Sequence, residues 1–302
     1  DNNLWKSEDN GNTFDLINSF GNDDEPVMQF EISRLDNDVI YLYQRTSFFG
    51  AVLWVSRDGG VSWIEKDFPD GPSSMRAGVL TIHASDPATL WVAFAHQNND
   101  GQKIFKTTDY GNSWVNISDE ILDGETIHCM FHQAGSEQDL YVGTDYSMYL
   151  VNEEGWARCD EGLPARLNTN RMQPFYKDGK LRVASYGNGI WETSFLKEYA
   201  PMAQATVDKL SSNCSRDTFY FDDYSVVNHD ENIDWEWEIV PDPIFISDPT
   251  ARNPKVVFGS TGNYTVALTV TNNMGSDTFR KEDMIQILED ECMPDVFPDQ
   301  SM

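Results

Sequence analysis

Ser56-Arg57-Asp58-Gly59-Gly60-Val61-Ser62-Trp63 decides how this chain is read, because it recurs. Ser7-Glu8-Asp9-Asn10-Gly11-Asn12-Thr13-Phe14 and Thr107-Thr108-Asp109-Tyr110-Gly111-Asn112-Ser113-Trp114 share its spacing. A worn copy, one or two residues short, stands at Asn152-Glu153-Glu154-Gly155-Trp156. The aligned acids step by 49 residues from Asp9 to Asp58, 51 to Asp109 and 44 to Glu153. A period of roughly 40–50 residues marks a repeat architecture.

The octet has the chemistry of a hairpin turn. Ser, Thr and Asp side chains accept hydrogen bonds from nearby backbone N–H groups. Glycine permits positive φ without a Cβ penalty. The closing Trp or Phe offers a large apolar ring to bury under the turn. The octets resemble the Asp box of bacterial neuraminidase repeats and sortilin-like proteins, where it joins the two outer strands of a four-stranded propeller blade. The resemblance implies a structural role for Ser7, Asp9, Gly11, Phe14, Ser56, Asp58, Gly60, Trp63, Thr107, Asp109, Gly111 and Trp114, away from any active face.

Around each box the units repeat. Val39–Tyr43 and Val52–Val55 read as strands before the second box. Val79–His83, Thr89–Phe94 and Lys103–Lys106 precede the third. Thr126–Phe131 and Leu140–Thr144 open a unit whose box is the worn one, and Gln173–Tyr176 with Leu181–Thr193 form a last unit. Ser185-Tyr186-Gly187-Asn188-Gly189-Ile190-Trp191 is similar to the "TYGRGIW" ending of sortilin-like propellers. Asn3–Ile17 supplies only the outer half of a blade. The expectation is an all-β chain with a partial or small propeller of about four to five blades over residues 1–198, the C-terminal part of a larger one. A self-contained small propeller is the alternative.

Beyond Glu198-Tyr199-Ala200-Pro201-Met202 the pattern changes. Thr218–Phe221, Asp234–Ile239, Asn253–Phe258 and Tyr264–Asn272 alternate apolar and polar residues, as half-buried sheet strands do. Trp235-Glu236-Trp237, Asn253–Phe258 and Gly262–Thr278 resemble a PKD domain, which implies an Ig-like β-sandwich over residues 199–288. Glu238-Ile239-Val240-Pro241 replaces that family's "DFGDG" loop, so no binding role carries over from it. The Ig-like topology places Cys214 and Cys292 at one end, implying a disulfide. Cys129 and Cys159 read as thiols too far apart to bridge. Residues 289–302 read as a linker to a further domain of the same polypeptide. The order of modules resembles secreted surface proteins of Bacteroidetes type, which leave the cell by type IX secretion.

Fifty acidic against 21 basic residues give a net charge of −29, split −16 and −13 about residue 198. Such a field repels nucleic acid and anionic membrane. It suits a solvated extracellular surface. Calcium loading is the sharper reading, but no D-x-[DN]-x-[DN]-G-x5-E loop appears, so no cofactor is assigned. No run of ~18 apolar residues spans a membrane. No signal peptide opens the chain, which is read as processed or as a fragment.

Sialidases share the Asp box but need an arginine cluster, a Tyr/Glu nucleophile pair and an acid. Glu31-Ile32-Ser33-Arg34 is not their "FRIP"-like start, and Arg57 lies inside a box. Xyloglucanase-like propellers need two aspartates on separate propellers. His128 and His132 fall on one face of a strand ~13 Å apart and read as packing or surface residues. Phe48, Phe49 and Tyr110 are candidate sugar platforms, more simply read as blade packing. The function expected is non-catalytic binding or scaffolding of a glycan or protein ligand outside the cell, secreted or at the surface. Part of a propeller glycoside hydrolase is the alternative.

Overall fold

The computed structural model describes residues 2–7, 11–21, 26–46, 50–69, 77–164, 166–176, 179–227 and 232–288. They divide into two compact units, residues 1–174 with 181–193, and residues 175–180 with 194–302. No α-helix occurs among the described residues, and Glu120–Leu122 is a 3-10 turn.

The first unit is a series of antiparallel meanders. β1 (Asn3–Lys6) and β2 (Asp15–Ser19) form a two-stranded sheet. Three four-stranded sheets follow, each with its strands in chain order. They are β3 (Val27–Ile32), β4 (Val39–Arg45), β5 (Ala51–Arg57) and β6 (Ile64–Asp67); then β7 (Ala77–Ile82), β8 (Leu90–Phe94), β9 (Ile104–Thr107) and β10 (Val115–Asn116); then β11 (Ile127–His132), β12 (Leu140–Thr144), β13 (Met148–Asn152) and β14 (Gly155–Arg158). β15 (Thr169–Phe175), β16 (Lys180–Ser185) and β17 (Gly189–Ser194) make a three-stranded sheet. This is blade architecture: short sheets, each packed by its faces against its neighbours.

The second strand of each four-stranded blade is buried on both faces, as its unbroken apolar run requires. Val39, Ile40, Tyr41, Leu42 and Tyr43 are all buried, as are Leu90 to Phe94 and Leu140 to Val142. One core joins the first two four-stranded sheets through Tyr41, Tyr43, Leu53, Val55, Leu80, Val92 and Phe105. The next joins the second and third through Val79, Trp91, Ile104, Met130, Leu140 and Tyr149. β3 escapes the sequence reading. Its alternation of half-buried and exposed residues leaves Met28, Phe30 and Ile32 exposed, so it lacks the buried run of its neighbours.

The second unit holds two four-stranded sheets, ordered β18-β20-β23-β22 and β19-β25-β24-β21. The strands are β18 (Ala205–Val207), β19 (Ser211–Ser212), β20 (Thr218–Asp223), β21 (Asp234–Val240), β22 (Phe245–Ile246), β23 (Lys255–Val257), β24 (Gly262–Asn272) and β25 (Gly275–Ile287). Phe219, Phe221, Val256 and Phe258 from one sheet meet Trp237, Ile239, Val266, Leu268 and Ile285 from the other in one core. β25 is the longest strand, and polar residues over most of its length hide it in the sequence.

Candidate functional site

The box turns decide which acids are available for chemistry. In the second box, Ser56 Oγ accepts from Gly60 N–H at 2.8 Å and donates to Asp58 Oδ1 at 2.9 Å. Asp58 Oδ1 also accepts from Ser62 N–H at 2.8 Å, and Oδ2 from Ser62 Oγ at 2.5 Å. The third box repeats the pattern with Thr107, Asp109, Gly111 and Ser113 at 2.7–3.0 Å. In the first, Gly11 N–H donates to Ser7 Oγ at 2.7 Å, while Asp9 lies outside the described residues. Hydrogen bonds from Ser113 hold the Asp109 carboxyl down at about 2, and those from Ser62 lower Asp58. Both carboxylates are thus locked as acceptors in turns of different blades.

The turn demands two successive left-handed residues. Gly59 and Gly60 have φ of 68° and 91°, and Tyr110 and Gly111 have 60° and 82°. Gly60 is fixed by packing too: a Cβ there would sit 2.9 Å from Ile17 Cγ2 of the two-stranded sheet. Tyr110 is no sugar platform but blade packing, with the Arg57 guanidinium 4.2 Å over its ring. Phe48 and Phe49 lie outside the described residues. The worn copy is a tight hairpin, Asn152 pairing with Gly155, with Asn152 Oδ1 accepting from Glu154 N–H at 2.9 Å.

His83 and His132 are structural. The His132 and His83 rings stack at 3.9 Å, with Trp91 beside both. His132 Nδ1 accepts from Ala84 N–H at 3.2 Å, which leaves Nε2–H to donate to Ser136 Oγ at 3.2 Å. His83 Nδ1 accepts from Ser85 N–H, so its Nε2–H donates to Glu137 O at 3.2 Å. Burial first, then the neighbouring His83, drives His132 down to about 2; burial lowers His83. Two neutral rings stack where two cations could not. His128, four residues before His132, is exposed.

Where the innermost strands β3, β7, β11 and β15 converge, they line a cavity of about 610 Å³. Its walls carry Phe30, Val79, Ile82, Met130 and Met172 among polar Gln29, Glu31, His128, Asn170, Arg171 and Gln173. Glu31 is the one carboxylate among the described lining residues. Gln29 Nε2 donates to Glu31 Oε1 at 2.8 Å and to Leu80 O at 3.0 Å, while Leu80 N–H donates to Gln29 Oε1 at 2.9 Å. Burial raises the Glu31 carboxyl, against the Gln29 bond and the charge of Arg171. Sequence reasoning passed over Gln29, Glu31 and Arg171 as a set. The available signal is positional: each lies on the first strand of a repeat unit.

Cys129 and Cys159 are free thiols; burial pushes each up to about 12, so neither is a nucleophile at neutral pH. Cys214 is disulfide-bonded, and its expected partner Cys292 lies outside the described residues. No group of three or more His, Cys, Asp or Glu among the described residues is placed to hold a metal ion. No described helix is long and apolar enough to cross a membrane.

Meandering blades pinned by S/T-x-D-x-G-x-S-W turns define a β-propeller of the Asp-box type. The family model described as Sortilin-Vps10 (sortilin, neurotensin receptor 3) matches residues 2–228, more than half of the chain, and the chain belongs to that family. It is 31% identical over 99 residues to vacuolar protein sorting/targeting protein 10 of Colletotrichum graminicola, a match covering 31% of this chain and 6% of that protein. Among solved structures, it is similar to a GH74 xyloglucanase from Xanthomonas campestris at 13% identity and TM-score 0.44, covering 86% of this chain and 37% of that one. An outer-coat vertex chain of COPII on membranes is similar at 9% identity and TM-score 0.48, covering 93% and 78%. The chain thus spans a small part of the relative it matches and about a third of the xyloglucanase.

Proposed function

We propose that this chain is a non-catalytic binding module, secreted or at the cell surface, that holds a protein or glycan ligand in the cavity of its innermost strands. The observation that carries the reading is the distribution of carboxylates. Glycoside hydrolysis by the common routes needs two carboxyl groups roughly 5–9.5 Å apart across the scissile bond. Among the described lining residues Glu31 is the one carboxylate, while Asp58 and Asp109 are held in turns of separate blades. Membership of the Sortilin-Vps10 family fits a binding role. The second unit is read as a PKD-like, Ig-like sandwich serving as spacer, in a longer secreted polypeptide of the type exported by type IX secretion.

The test pairs ligand capture with turnover. Glycan and peptide arrays are probed with the wild type and with Asn170→Trp, which fills the cavity from an exposed position; a fluorogenic glycoside panel runs alongside. Capture abolished by Asn170→Trp, without glycoside turnover, supports the reading. Turnover lost on a single carboxylate substitution sinks it in favour of a hydrolase.

A further inference from the structure

Glu31 is held ready rather than merely present. Its carboxylate has about four acceptor positions. Gln29 Nε2 occupies one, and Gln29 is itself locked by both backbone groups of Leu80. No ordering of the acid is therefore needed when a ligand arrives. Arg171, from β15, acts on Glu31 through its charge without a hydrogen bond to it. Phe30, Val79, Ile82, Met130 and Met172 line the same space and suit the methylene stem of a long cationic side chain. The net charge of −29 concentrates cations near the protein and repels anions.

We propose that Glu31 is the specificity-determining residue of this cavity, and that it selects peptide ligands bringing a lysine or arginine side chain onto its free carboxylate oxygen. This rests on the binding-module reading above and names its ligand class. A charge-assisted hydrogen bond in a partly desolvated cavity is roughly twice as strong as a neutral one, and the loss expected without it is about tenfold in affinity.

The experiment uses three acetylated, amidated pentapeptides, Ala-Ala-X-Ala-Ala, with X as lysine, norleucine or glutamate. Each is titrated against the whole chain by NMR and calorimetry at moderate salt. The lysine peptide is expected to bind about tenfold tighter than norleucine, its uncharged counterpart, and the glutamate peptide weakest. Glu31→Gln should erase that order without moving the melting temperature. Glu65→Gln, which removes an exposed acid of β6 outside this cavity, should leave it intact and so controls for net charge. Equal binding of lysine and norleucine peptides overturns the inference, as does preference for glutamate, which would make Arg171 the selector. So does a lysine preference that survives Glu31→Gln. Binding without charge preference spares the binding-module reading; no binding of any peptide, with an Asn170→Trp variant indistinguishable from wild type on the arrays, removes both.

Discussion

The indole nitrogen of Trp114 donates a hydrogen bond to the backbone oxygen of Asp67, 3.2 Å away in the outer strand of the preceding blade. Trp156 does the same to Ile117 O at 3.0 Å. In the third box and the worn copy the tryptophan is thus a pin between blades, whereas in the second box Trp63 Nε1 donates to Gly60 O of its own turn at 2.9 Å. The worn copy lacks the box Ser and Asp, yet Asn152 still makes an Asx turn with Glu154 N–H and Trp156 still makes the bond across the junction. Trp114→Phe is expected to cost about 0.5–1.5 kcal/mol, the net worth of one hydrogen bond. Trp114→Ala removes ring packing against Phe68 as well and should cost about 3 kcal/mol. Urea unfolding followed by near-UV circular dichroism of the first unit's aromatics checks the order; equal losses would show that the bond contributes nothing.

The box aspartates give the fold an acid limit. Asp109 sits at about 2 in the fold against 3.8 ordinarily, and Asp58 is lowered as well. A depressed carboxylate stabilises the fold fully above its unfolded value and loses that contribution as pH falls through its folded one. Stability from these turns is therefore complete above about pH 4 and fades towards pH 2. Asp109→Asn, which keeps part of the hydrogen bonding without the charge, should flatten the thermal midpoint's pH dependence in that window. An unchanged slope between pH 4 and 2 would remove the box from the account.

The stacked pair His83 and His132 acts in the same direction, over a higher pH window. Both are lowered from 6.5, His132 to about 2. Unfolded histidines take up protons below pH 6.5 while the folded pair refuses them, so stability is full above that pH and falls below it. Each histidine so held costs up to about 1.4 kcal/mol per pH unit on the acid side. His83→Phe with His132→Phe keeps the stack against Trp91 and should reduce the loss between pH 6.5 and 4.5. NMR titration of the wild type should show His132 unprotonated throughout that range and His83 titrating below an ordinary histidine.

In the second unit, Asp223 is buried to 0% side-chain exposure, with Arg252 Nε 3.0 Å from its Oδ2 and Ser225 N–H 3.0 Å from Oδ1. Arg252 also lies 5.6 Å over the Trp235 ring. Removing the cation strands a buried charge, which typically costs about 3–5 kcal/mol. Arg252→Met should therefore destabilise this unit strongly. Replacing both partners, Arg252→Met with Asp223→Leu, should recover part of the loss; no recovery would mean the arginine acts through packing alone.

The sequence by itself determined the β-class and the repeat. Ser56, Asp58, Gly60 and Trp63 meet through local bonds spanning two to four residues, so their spacing encodes the turn, and the apolar runs at Val39–Tyr43 and Leu90–Phe94 encode strands buried on both faces. The alternation at Asp234–Val240 likewise encodes a half-buried strand. Only the tertiary structure decided what those strands enclose. Gln29 and Leu80 are 51 residues apart in sequence, and Glu31 feels Arg171 from 140 residues away. No spacing rule reaches across three blades, because these residues are brought together by radial packing of sheets and not by local geometry. The same holds for His83 and His132, whose ring stack is made by a blade junction that neither strand specifies alone.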